Sequence, residues 1–236
     1  MAAEHEGSGL ASSLTDLMTS LAVIFILLLV AMLNNQRQQT AEARNLVVSR
    51  LESALERFKR QGVEVKSDPT DPLVLLVIVP EDLLKFEQGK SEIPATGFYF
   101  LQTFVPKFVS TACSTELREG ISSIVVEGHA SSEGSDNDNL SLSQRRSMAV
   151  IQQSLTVLDR SSRPDAPAEH KCFLYLISAT GRGSAEPVLV NGQEDRPHSR
   201  RVVFKIRIKS LEERKEIVTQ ADLTTSQPAA RQYDSR

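Results

Sequence analysis

Polar and apolar positions follow three different rhythms along this chain. From Leu14 to Leu33 nearly every residue is apolar, a run of the length a helix needs to cross a bilayer. From Asn34 to Arg60 good helix formers dominate, and Leu46, Val47, Leu51, Leu55 and Phe58 recur at helical spacing to give one apolar stripe. Two readings of that stripe stay open: a stalk that pairs with a second copy, or a helix packed on its own domain. Gly62 ends the segment.

The third rhythm alternates strands with helices. Leu73 to Val79 is a continuous apolar run suited to a buried strand, and Leu83 to Phe86 reads as a short second one. Pro94 to Cys113 is an aromatic-rich helix with Pro in its first turn. Ile121 to Glu127 is a strand, Leu140 to Leu158 a long helix, Ser161 to Glu169 a loop, and Cys172 to Ser178 a strand. Gly181 to His198 is a long loop, and Arg201 to Ile208 a final strand. This order predicts an α/β (α+β) sandwich, one sheet with helices packed on it. The expected divisions are a small polar tail at 1–13, a membrane helix at 14–33, a stalk at 34–62, a domain at 63–209 and a polar tail at 210–236, both tails expected to lack structure.

Composition sharpens this picture. Net charge is −3 over 236 residues, which gives no case for nucleic acid as a partner. No Lys or Arg precedes Asn34, where only Glu4, Glu6 and Asp16 are charged; all 27 basic residues follow. An acidic N-terminus without an A-x-A site after the apolar run argues for a retained single-pass anchor rather than a signal peptide. Arg37 and Arg44 lie just after the span, so counting positive charges by itself would put the large part inside. Two cysteines, Cys113 and Cys172, read either as buried free thiols or as a disulfide between a helix and a strand, the latter suited to an oxidising compartment. With four scattered His they show no metal-ligand spacing.

Asp16 is the residue that carries chemistry. A carboxylate inside a membrane helix costs roughly 2.5–3.5 kcal/mol on insertion scales and by default marks an ion or proton site. The plain alternative is that Asp16 caps the helix, since Leu17 to Leu33 would still reach about 25 Å at about 1.5 Å per residue. Thr19 and Ser20 lie three and four residues on, on the same face. Their hydroxyls either hold a water or an ion beside Asp16, which keeps Na+ open beside H+, or bond the backbone of the previous turn.

Two stretches carry family resemblances. Gly128-His129-Ala130-Ser131-Ser132-Glu133-Gly134, followed by Asn139, Leu142-Ser143, Arg146 and Val150, resembles the OmpA-like peptidoglycan-binding domain, with spacing kept from the first Gly to the last Val. Phe86 to Ile93, Gly181 to Pro187 and Ser199 to Val202 look like further parts of that family, so the match covers about residues 72–208. Thr15-Asp16-Leu17-Met18-Thr19-Ser20-Leu21 resembles the start of the membrane helix in MotB-type stator subunits, where the aspartate carries the ion. Membrane helix, stalk and OmpA-like domain together are the stator B-subunit architecture, and the leading tail and short stalk are most similar to its Zorya anti-phage branch.

The resemblance implies a fold, an orientation and two sites. The OmpA-like domain would lie in the periplasm and the N-terminus in the cytoplasm, with the span in a bacterial inner membrane. Asp16 would carry H+ (Na+ is the alternative) between this chain, as a homodimer, and a multi-span MotA-like (ZorA-like) subunit. Arg146 would grip a carboxylate of diaminopimelate in the peptide stem, since its planar fork matches a carboxylate. Asn139, Leu142 and the loop from Ser131 would complete that peptidoglycan site. The family's aspartate for the ligand ammonium falls on Ser131, which has no charge; Glu133, Asp136 and Asp138 are the candidates to replace it. The rivals are a passive wall tether, a flagellar-type stator, and a TolR or ExbD type transducer. An enzyme finds no support: there is no G-x-S-x-G and no Walker loop.

Overall fold

The computed structural model describes residues 5–210 and Glu213, without the side chains of 5–13, Thr40 and Ala43. The expected C-terminal tail lies outside these residues but for Ser210 and Glu213, as do residues 1–4 of the N-terminal one. The chain divides into two units, Met1–Glu42 and Ala43–Arg236. Helix α1, His5–Lys59, contributes to both.

Among the described residues of the first unit α1 is the one element. Every side chain from Leu14 to Leu33 is exposed within this chain. Among the described residues this is the one helix long and apolar enough to cross a membrane. Helix already covers His5 to Ser13, where a tail without structure was expected. Asp16 therefore lies inside a helix and is not its N-cap.

In the second unit a five-stranded sheet runs in the order β1-β2-β7-β3-β4. Its strands are β1 Glu64–Ser67, β2 Val74–Pro80, β3 Ile121–His129, β4 Ile177–Gly181 and β7 Arg201–Ile208. Only β3 and β4 pair in parallel; β3 and β2 both flank β7 antiparallel. The parallel pair needs a crossover, which α4 Asp136–Asp159 and α5 Ala166–Leu176 supply. Helix α3, Ala95–Ala112, completes the helical layer. Leu75, Val77, Val79, Ile124, Val126, Phe204 and Ile206 alternate inward along the strands and are buried. Phe104 of α3 stacks on Phe100 and Phe108 at 5.3 and 5.5 Å, and Phe108 lies 5.1 Å from Phe204 of β7.

The apolar stripe of the expected stalk belongs to this core. Val47, Leu51, Leu55 and Phe58 are all buried in it, and Phe58 meets Phe104 edge-on at 5.4 Å. The domain begins near residue 43 rather than at 63, because the aromatic surface of α3 needs that stripe to exclude water.

Three short assignments change. Leu83 to Phe86 is no strand: Glu81–Leu84 is the one-turn helix α2, closed by Lys85 in the left-handed region at φ 57°. Acidic residues in its first turn favour helix after Pro80. Most of Cys172 to Ser178 is the end of α5. Phe173 and Leu176 face inward three residues apart while Leu174 and Tyr175 face out, a helical rhythm that a short apolar run does not reveal. Inside the expected long loop, β5 Leu189–Val190 and β6 Gln193–Glu194 form a hairpin. Asn191 and Gly192 turn it, both with positive φ, as an Asn-Gly pair favours. Helix α6, Arg196–Ser199, follows. Cys113, capping α3, and Cys172 of α5 are disulfide-bonded, so the bridge joins two helices rather than a helix and a strand.

Candidate functional site: a carboxylate on an apolar helix and an arginine seat

In the first unit Asp16 is exposed on α1. The Thr19 hydroxyl donates to the Thr15 carbonyl at 2.7 Å and lies 3.0 Å from that of Asp16. It thus bonds the previous turn, the plainer of the two expectations. Ser20 is exposed one residue on.

The second site gathers at the carboxyl end of β3 and the start of α4. Close backbone approach places it: a Cβ on Gly128 would lie 2.2 Å from the Ser143 carbonyl oxygen, and one on Gly181 2.5 Å from the Gln144 nitrogen. Gly183 donates its N–H to Ser143 Oγ at 2.9 Å and accepts from Ala130 N at 2.8 Å. These contacts hold loop 130–135 against α4. Ser135 caps α4, its hydroxyl oxygen accepting from Asp138 N. Buried Asn139 donates Nδ2–H to the Ser131 carbonyl at 3.1 Å, and so fixes the loop rather than facing out of it. Leu142 is half-buried on the same helix.

Of the two adjacent arginines, Arg146 turns inward and is buried, while Arg145 stays exposed and donates to Ser141 Oγ. Arg146 Nη1 pairs with Glu81 Oε1 at 2.8 Å. Its Nε and Nη2 donate to the carbonyls of Lys90 and Glu87 at 3.0 and 3.2 Å. The guanidinium also lies 4.8 Å over the Phe86 ring. Burial pushes its pKa below the usual arginine value, against the pull of Glu81. Arg200 Nε holds the other Glu81 oxygen at 2.5 Å.

Ser131 is buried and uncharged, and its hydroxyl donates to Glu133 at 3.4 Å. Of the three acids expected to stand in for the missing charge, Glu133 is nearest, and it pairs with Arg196 at 3.0 Å and Arg200 at 3.7 Å. Asp138 accepts from the Ser135 hydroxyl and Asp136 from the Ser184 hydroxyl. Glu81, Arg196 and Arg200 come to the site from elements 50 or more residues away, and no local pattern marks Glu81.

A separate cluster unites Glu127, His129 and Glu186, close enough together to hold a metal ion. Lys205 Nζ already lies 2.7 Å from Glu127, however, and Arg182 2.5 Å from Glu186. The cluster is therefore neutralised from within.

No family model matches the chain. It is 26% identical over 210 residues to the Zorya protein ZorB of Escherichia coli strain Crooks, covering 82% of this chain and 86% of that protein. A second ZorB, from an ETEC strain of Escherichia coli, is 28% identical over 219 residues, covering 89% and 85%. A solved MotB-like protein from Desulfovibrio vulgaris shares the fold, with a TM-score of 0.51 at 21% identity over 74% of this chain and 99% of that one. The chain is thus similar to ZorB over most of its length, and it shares the fold of that MotB-like protein.

Proposed function

We infer that this chain is the B subunit of a Zorya-type stator, an ion-driven anti-phage motor of the bacterial inner membrane held to peptidoglycan. The observation that carries the reading is Asp16 inside the helix that is long and apolar enough to cross a membrane, on a chain similar to ZorB over most of its length. The Asp16 carboxylate can take up a proton and release it as access alternates between the two sides. One helix cannot enclose a pathway. The reading therefore includes a multi-span ZorA-like subunit around a homodimer of this chain.

H+ is the proposed ion. The Thr19 hydroxyl bonds its own helix, which leaves less for a Na+ shell. The N-terminus lies in the cytoplasm and the domain in the periplasm, an orientation supported by the Cys113–Cys172 disulfide, which an oxidising compartment permits. The Arg146 seat, with Ser131, Asn139 and Leu142 as the other residues of the reading, binds a stem-peptide carboxylate of the wall. Glu133, beside Ser131, supplies the negative charge for the ammonium. The chain binds and couples; it is not an enzyme in this reading.

The test is a phage-plating assay of Asp16→Asn beside wild type, each co-expressed with the adjacent membrane subunit. Loss of protection with an intact, membrane-inserted complex is expected. Protection by both would instead make the chain a passive tether.

A further inference from the structure

Arg146 is the residue to grip a carboxylate of the wall, yet a carboxylate of this chain already sits on it. Glu81 lies between two guanidinium groups: Oε1 is 2.8 Å from Arg146 Nη1 and Oε2 is 2.5 Å from Arg200 Nε. This is the arrangement that a bound carboxylate would adopt. The other Arg146 contacts are of a different kind. Its bonds to the carbonyls of Glu87 and Lys90 aim the fork, and need not change when the anion does.

Glu81 is also the part of the seat best able to leave. It opens the one-turn helix α2, bounded by Pro80 and by Lys85 at positive φ. Its side chain is 15% exposed, against 7% for Arg146, and Arg200 on its far side is 33% exposed. Emptying the seat outright would strand a buried cation, which is strongly destabilising. Exchanging one carboxylate for another would not, because Arg146 stays paired throughout.

We propose that Glu81 is an internal stand-in for the wall's carboxylate, occupying Arg146 and Arg200 until a stem-peptide carboxylate displaces it. The inference rests on the reading of Arg146 as the wall-binding residue. It makes wall affinity a competition. Each ligand carboxylate must outbid a tethered rival, which favours a dense polymer of stems over a single free one.

The test is co-pelleting of the full chain, in detergent, with purified sacculi of a diaminopimelate-type wall. Four forms are compared: wild type, Glu81→Gln, Glu81→Asp and Arg146→Ala. Glu81→Gln keeps the shape and removes the charge, and a charge-assisted bond is worth enough that half-saturation should move to about tenfold less sacculus. Glu81→Asp keeps the charge but shortens its reach, and should bind several-fold better than wild type; it carries the test if the Gln form unfolds on heating trials. Arg146→Ala should not pellet. Equal or weaker binding by a folded Glu81 variant overturns the stand-in role alone. Undiminished pelleting by Arg146→Ala, or none by either wild type or Glu81→Gln, overturns the wall-site reading and this inference with it.

Discussion

Gly128 on β3 and Ser143 on α4 touch backbone to backbone: a Cβ on the glycine would sit 2.2 Å from the Ser143 carbonyl oxygen. No side-chain adjustment relieves such a clash, because both partners are main chain. The contact sets the height of α4 over the sheet and so the position of Asn139 and Arg146. Gly128→Ala should cost about 3 kcal/mol or more of stability, measured by urea unfolding, and weaken sacculus binding as well. A fully stable variant would mean that α4 can shift without penalty.

The domain should need the last turns of α1. Leu51 and Leu55 are fully buried, and Phe58 packs on Phe104. A fragment of residues 43–210 is expected to unfold cooperatively and stay soluble, whereas 63–210 exposes the aromatic face of α3 and should aggregate. Within the longer fragment, Leu51→Ala should cost about 2–5 kcal/mol. Equal behaviour of the two fragments would show that the helix only rests on the core.

The disulfide should matter to stability. Cys113 and Cys172 are 59 residues apart in sequence, and between them lie β3 and all of α4. Replacing both with Ser frees that loop in the unfolded chain and should cost about 2–4 kcal/mol. Denaturant midpoints of the double variant and of the reduced wild type should agree. A midpoint equal to that of the oxidised wild type would refute the expectation.

Acid should weaken the fold in two stages. Burial pushes His129 below the usual histidine value, although Glu127 pulls the other way. Both ring nitrogens are buried without a hydrogen bond. In Glu127 burial works to raise the carboxyl, but His129 and Lys205 outweigh it and the net shift is downward. Both groups are depressed in the folded state, so their stabilisation is present at higher pH and is lost as pH falls. The His129 share begins to go below its ordinary value of 6.5, the Glu127 share only below 4.5. Melting temperature should therefore fall between about pH 7.5 and about pH 5.5. His129→Gln should flatten that interval and keep the drop at lower pH. An unchanged slope in the variant would assign the upper stage to another group.

The sequence by itself determined the features written locally. The apolar run at 14–33 has the length and composition of a membrane span. Asp16 stands out for the same reason. Val202, Phe204, Ile206 and Ile208 alternate with Val203, Lys205 and Arg207, which makes a strand with one dry face, and the glycines at 128, 181 and 183 lie where α4 and the loops press close. The expected helix from Leu140 carries Leu142 and Arg146 near one end; it begins earlier, at Asp136, so Asn139 lies on it as well.

Only the tertiary structure decided which partners those residues meet. The stripe from Val47 to Phe58 fits a second copy as well as its own domain; the phenylalanines of α3, some 50 residues on, choose the latter. Runs as short as 83–86 and 172–178 take whichever state buries their apolar side chains, and that surface belongs to distant elements. Arg146 reads in sequence as a free fork. Its pairing with Glu81 and, through it, Arg200 joins residues 65 and 119 positions apart, and long-range electrostatic contacts of this kind leave no periodicity for a sequence to show.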